Sequence, residues 1–167
     1  MSRDEAFLDA AQALGHSFDG EIKRGGNYLP LVRVGDTLYV SGQVPRVGDT
    51  VVVTGRVGRD VTLEQAQLAA RICAMRALAL LQRSLGSLEK IRAVPKVNVY
   101  IQCADGFIQQ SEVADAAWSP YSAPTAPMRA RRSASFSCRR TPRWSSTSSP
   151  SLTPAESSCC EHPRDRR

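Results

Sequence analysis

At 167 residues the chain has the length of one domain, and it contains no run of 18 apolar residues able to span a membrane. Its formal charge of +6 is unevenly placed: residues 1–117 carry 13 basic and 13 acidic side chains, whereas residues 118–167 set nine Arg against Glu156, Glu161 and Asp165. The start, Met1-Ser2-Arg3-Asp4-Glu5, has no apolar h-region, which excludes a secretory signal and predicts a cytoplasmic protein with no membrane partner.

In chain order, residues 4–14 read as a short amphipathic helix, with Phe7, Leu8, Ala11 and Leu14 at helical spacing. Glycines between residues 15 and 26 break it. Two β-rich runs, residues 28–34 and 37–41, flank Gly35-Asp36 and form a hairpin signal. A third strand is expected at residues 51–54, after a second turn at Gly48-Asp49. The best-defined element spans residues 63–85, where Thr62 and Gln65 make a capping box. Leu68, Ile72, Met75 and Ala79 give that helix an apolar stripe, Glu64, Gln67 and Arg71 lie on another face, and Gly86 is its stop. Residues 91–102 alternate Val97, Val99 and Ile101 as a long strand, and residues 107–117 begin another helix. The order predicts an α+β fold, one sheet with helices on one face.

The five cysteines fit no disulfide framework, and no C-x-x-C pair exists. Cys73 falls mid-helix as a small hydrophobe, and Cys103 either packs or faces a pocket. His16 and His162 are far apart in sequence, so a metal site is not expected. Gly25-Gly26-Asn27 and the glycines of residues 55–58 read as turns. Neither joins a strand to a helix through the Gly-Lys-Ser/Thr signature of a phosphate loop.

Residues 118–167 differ in kind. They hold 12 Ser, seven Pro and both Trp, but no Val, Ile, Gly or Lys, a composition that cannot offset its ordering entropy by burial.

Asn27-Tyr28, Leu38-Tyr-Val-Ser-Gly-Gln-Val-Pro45, Gly55-Arg-Val-Gly-Arg-Asp60, the helix after Thr62, Lys96-Val-Asn-Val-Tyr100 and residues 107–117 together resemble the RidA/YjgF family. These are the small reactive-intermediate deaminases, also described as the endoribonuclease L-PSP family. The resemblance implies a chorismate-mutase-like single sheet with two helices on one face, and a homotrimer with active sites in clefts between subunits. It further implies hydrolysis of 2-imino or enamine acids to 2-oxo acids and ammonia, with no cofactor and no metal.

By position in the motif, Tyr28, Ser41, Gly42, Gln43 and Phe107 are the expected substrate-binding residues. Each has an alternative reading: Tyr28 as a strand-edge aromatic, Ser41-Gly42 as a close-packed strand, Phe107 as core. No catalytic residue is assigned. In the family an arginine on the strand after the second helix clamps the substrate carboxylate. Arg129 and Arg131 stand near that place but in no strand pattern, so neither receives the role.

Family members end in a His-Ala-Arg strand, a Leu-Pro turn and a Val-Glu strand, none of which is visible here. Read from the third base of the Met128 codon, one permitted codon choice for residues 128–155 gives ARTSVGVFQLPKNAAVELDLVALADPG, 27 residues of that ending. The expectation is therefore an incomplete RidA/YjgF-like domain over residues 1–117 and a disordered, out-of-frame tail over 118–167. A natural disordered tail is the alternative. For function, the alternatives to deamination are a regulatory module that binds small carboxylates without turnover, and ribonuclease action. The neutral first 117 residues disfavour a nucleic-acid partner.

Overall fold

The computed structural model describes residues 2–22 and 26–118, and the expectations for residues 119–167, Arg129 and Arg131 included, lie outside the described residues. The first helix, α1 (Arg3–Ala13), starts in a capping box: Ser2 Oγ accepts from the Glu5 amide at 3.1 Å, and Glu5 Oε2 accepts from the Ser2 amide at 2.6 Å. Phe7 and Ala11 are its buried positions, and the Phe7 ring meets Phe18 at a centroid distance of 6.3 Å.

The expected hairpin forms as β1 (Leu31–Val34) and β2 (Thr37–Val40), antiparallel, with Val32 opposite Tyr39 and Val34 opposite Thr37. Gly35 turns it at φ +57°, a conformation that favours glycine. Gly48, also at φ +57°, turns a second, shorter hairpin of β3 (Arg46–Val47) and β4 (Thr50–Val51). Of the strand expected at 51–54 only Val51 enters a ladder, in the second arm of this hairpin, whose first arm, at Arg46, carried no sequence signal.

The long helix, α2 (Leu63–Leu85), opens with the Thr62/Gln65 capping box and stops at Gly86, φ +79°. It is buried on two sides. Ile72, Met75, Leu78 and Ala79 enter a core with Phe7, Phe18, Leu88 and Ile91, onto which Leu31, Leu38 and Val40 of the hairpin pack. Ala66 and Ala70 instead face a second core of Val57, Val61, Ile101, Cys103, Val113 and Ala117. Small residues there let the last helix, α3 (Gln110–Trp118), lie against α2, and Gln67 Nε2 donates to the Glu112 carbonyl across that contact.

Helix α3 begins at Gln110 rather than at 107, because Phe107 still belongs to a turn in which its amide donates to the Ala104 carbonyl. It runs one residue past the expected boundary: Trp118, grouped with the tail on composition, ends the helix and packs against the first core.

The fold is α+β as expected, but the sheet is divided. Among the described residues it consists of two two-stranded antiparallel pieces. Residues 91–102 keep the alternation, with Val97, Val99 and Ile101 turned inward, yet no continuous ladder forms on them. A ladder requires a neighbouring strand along its length, and the parallel bridge of Val57 with Cys103 supplies one only at the end. That bridge makes α2 the crossover between its two arms.

Asp4 staples α1 to the end of α2. Its carboxylate accepts from Gln82 Nε2 at 2.7 Å, Ser87 Oγ at 2.5 Å and the Leu88 amide at 3.1 Å. Burial acts to raise its pKa, but the Ser87, Leu88 and Gln82 hydrogen bonds together outweigh it and hold the carboxyl below its ordinary value. A folded pKa below the unfolded one contributes stability that is complete at neutral pH and lost as pH falls through the lowered value. Asp4→Asn is expected to cost about 1 kcal/mol at pH 7 and progressively less in acid, as measured by denaturant unfolding at both pH values. Ile72→Ala, which empties a fully enclosed position, is expected to cost about 2–5 kcal/mol in the same assay.

Candidate functional site

Three of the expected site residues follow one another at the exit of β2. Ser41 extends the hairpin by one step: its amide donates to the Pro30 carbonyl at 2.9 Å and its hydroxyl to the same oxygen at 3.1 Å. The hydroxyl is thereby held in place as a donor to backbone. Gly42 is exposed, and a Cβ built on it would meet nothing within 4 Å. Close packing therefore does not account for glycine here. Gln43 folds back, its Nε2 donating to the Ser41 carbonyl at 3.1 Å, which leaves its Oε1 facing α2.

That oxygen accepts from Arg76. Arg76 is 5% exposed and the one charged side chain in the buried set of the described residues. Its Nε donates to Gln43 Oε1 at 3.3 Å and its Nη1 to the Arg46 carbonyl at 2.9 Å. Burial presses the guanidinium below arginine's usual pKa range; Cys73 opposes that shift, Arg46 adds to it as a neighbouring positive charge, and Tyr28 opposes it. Arg76 remains a cation at pH 7.

Tyr28, 44% exposed, is near enough to Arg76 to act on its charge, and Arg76 is the side chain from which Gln43 accepts. Tyr28 also covers Gly26, where a Cβ would lie 3.2 Å from its ring. Cys73, on the same stretch of α2, has its thiol pushed up to about 11 by burial, with Arg76 pulling the other way. It is a neutral packing residue at pH 7 and a poor nucleophile.

Arg76 and Arg46 are absent from the sequence-level site. The signal was present for Arg76, which is four residues after Ile72 and three before Ala79. An arginine in the apolar stripe of a helix is rarely buried without a specific set of acceptors. Arg46 carried no comparable signal. Its Nε lies buried with no acceptor among the described residues, an arrangement that costs about 1–3 kcal/mol for a donor shut away from water.

Phe107 is not part of this group. It packs with the second core, its ring over Gly58, where an added Cβ would lie 2.9 Å from Phe107 Cδ2. The loop below it, residues 55–61, is closed by Arg56 N–H to Asp60 Oδ2 at 3.0 Å and by a two-pronged Arg59–Asp60 pair at 2.9 and 3.0 Å. Arg59, and after it the Arg56 amide, holds the exposed Asp60 carboxyl below its ordinary range. Among the described residues no group of three His, Cys, Asp or Glu could hold a metal ion, and no helix is long and apolar enough to cross a membrane.

The outer face of the β1–β2 hairpin is apolar as well as the inner one. Leu31, Leu38 and Val40 pack on the core, while Val34 and Tyr39 on the other side remain 62% and 60% exposed.

A family model described as "YjgF/chorismate mutase-like, putative endoribonuclease" matches residues 12–120. Protein TCP17 of Trypanosoma cruzi is 35% identical over 106 residues, covering 64% of this chain and 66% of that protein, so the chain spans just under two thirds of that relative's length. A crystal structure of a protein of unknown function from Agrobacterium tumefaciens is 33% identical, with a TM-score of 0.69 over 81% of this chain and 83% of that one. Another, described as a "putative endoribonuclease" from Shewanella oneidensis MR-1, shares the fold at 22% identity. Its TM-score is 0.70, over 79% of this chain and 88% of that one.

The Gly58–Phe107 contact is open to a direct test. Gly58 sits at φ +85°, so Gly58→Ala combines backbone strain with displacement of the Phe107 ring. A loss of about 1–3 kcal/mol is expected in the otherwise unchanged chain, and a smaller one in a Phe107→Ala background, where only the backbone part remains. Thermal unfolding of the four proteins in that cycle checks it.

Proposed function

Because this chain belongs to the YjgF/chorismate-mutase-like family, we propose that it carries the binding site of an imine or enamine deaminase acting on small 2-imino acids. The observation that supports this reading most is the Ser41–Gly42–Gln43 segment held on Arg76 beside the open space over Gly42, with Tyr28 close enough to act on the same guanidinium. The reaction needs little from the protein beyond position. Water adds to the imine carbon, the carbinolamine collapses, and ammonia leaves with the 2-oxo acid as the other product. Holding the imine against a water converts that encounter into an effectively intramolecular one. The phenol of Tyr28 is the group within the site that can orient the nitrogen and pass a proton to it, while the Gln43 carboxamide can offer only a hydrogen bond.

In this proposal the apolar outer face of the hairpin, with Tyr39 and Val34, is covered by a second copy of the chain within a homotrimer. The residues after Ala117 are read one base out of step with the family's last strands, and with them the carboxylate-clamping arginine. The 27-residue shifted reading of residues 128–155 supports this, and it makes the +6 charge uninformative about partners.

Three measurements test the reading. The nucleotide sequence around codons 115–120 is expected to show one base gained or lost relative to the restored frame; an intact frame ends that part of the proposal. With 2-iminopropanoate generated in situ, the frame-restored chain is expected to release 2-oxopropanoate well above the spontaneous rate and this chain more slowly. Tyr28→Phe should lower the restored rate at least about tenfold. Turnover by neither chain, with small carboxylates still raising the melting temperature, would turn the assignment to a binding protein. Finally, Tyr39→Lys is expected to shift the sedimentation of the restored chain from trimer to monomer.

A further inference from the structure

The site contains two arginines that neither the sequence motif nor the family match assigns. Their arrangement differs from that of the other arginines in the described residues. Arg83 donates to the Phe18 and Gly20 carbonyls and Arg3 Nη1 to the carbonyls of residues 88, 89 and 91, so both close off loop or helix ends. Arg3 Nε is also buried without an acceptor, but no second guanidinium stands beside it in these contacts.

At Arg46 two features coincide. The orphan Nε–H belongs to a side chain close enough to Arg76 to act on it as a like charge, and the Arg46 backbone carbonyl is itself held by Arg76 Nη1. Bringing two cations together in a partly buried place, one of them with a donor unmet, is unfavourable unless an anion joins them.

We propose that Arg46, backed by Arg76, is a subsite for the carboxylate of a small organic acid, at the junction of β3, α2 and the Gln43 segment. The Nε–H and an adjacent Nη–H of a guanidinium form a side-on fork that matches the two oxygens of a carboxylate, and an unmet Nε–H is half of that fork. Arg76 acts as a positioning residue: its own donors hold Gln43 Oε1 and the Arg46 carbonyl, which fixes the arm from which the fork extends. The inference deepens the proposed function and rests on it for the small-acid class of ligand.

The test uses the full chain and sodium 2-oxobutanoate as probe, at constant ionic strength balanced with sodium chloride. Isothermal titration is expected to show saturable binding to the unaltered chain, weakened about tenfold or more in both R46Q and R46K. R46K is the informative variant, because it keeps the charge and loses the fork. As a measurement independent of any variant's folding, the Arg46 side-chain Nε–H resonance of the unaltered chain is expected to move on titration with 2-oxobutanoate and to stay in place with chloride. No saturable binding, an affinity in R46K and R46Q equal to that of the unaltered chain, or a stationary Arg46 resonance would overturn the subsite. Failure of imine turnover together with these shifts would leave it standing and remove only the deaminase reading. Turnover by the restored chain with a stationary resonance would do the reverse.

Discussion

A guanidinium has five N–H donors and no way to shed its charge at physiological pH, so one enclosed in an apolar helix face must be met by acceptors brought to it. Arg76 imposes this demand in the middle of α2. Gln43 supplies a side-chain oxygen from the stretch after β2, and Arg46 a backbone one from the start of β3. The hairpins are small and share no ladder with each other among the described residues, so their attachment to the helix depends on such contacts together with the packing of Leu31, Leu38 and Val40. The same residue that satisfies Arg76 also holds Ser41 through its amide. One buried charge thus fixes the course of the segment on which the proposed site depends.

Helix α2 separates two environments by residue size. On one side Ile72, Met75 and Leu78 fill the space beneath α1 and the first hairpin; on the other, Ala66 and Ala70 allow α3 to approach closely. The parallel bridge of Val57 with Cys103 lies on the alanine side, so the crossover and the last helix form one block and the hairpins another. Phe107 belongs to the crossover block, whereas Tyr28 and Gln43 lie with the hairpins.

Elements announced by capping or turn chemistry were legible in the sequence. Thr62, Gln65 and Gly86 bounded α2, and the two Gly-Asp pairs marked both hairpin turns, since these residues act through local backbone geometry. What escaped was non-local. The extent of strand structure in residues 91–102 is set by partners elsewhere in the chain, and inward alternation of Val97, Val99 and Ile101 says which way side chains face without saying what pairs with the backbone. Of the proposed site, Tyr28 and residues 41–43 come from the resemblance alone, while the enclosure of Arg46 had no sequence signal, because nothing local distinguishes a surface arginine from one whose Nε is enclosed.

Gly42 has neither a positive φ nor any neighbour that a side chain would strike. Its glycine is therefore not required by the fold, and the position uncouples folding from recognition. Under the proposed function, a methyl or hydroxymethyl group added there would occupy volume above the strand exit and narrow the space left for a ligand. The stability of the chain would scarcely change. Substrate size could then drift in descendants of this sequence through single substitutions at position 42, without the compensating core changes that retuning a buried pocket wall demands.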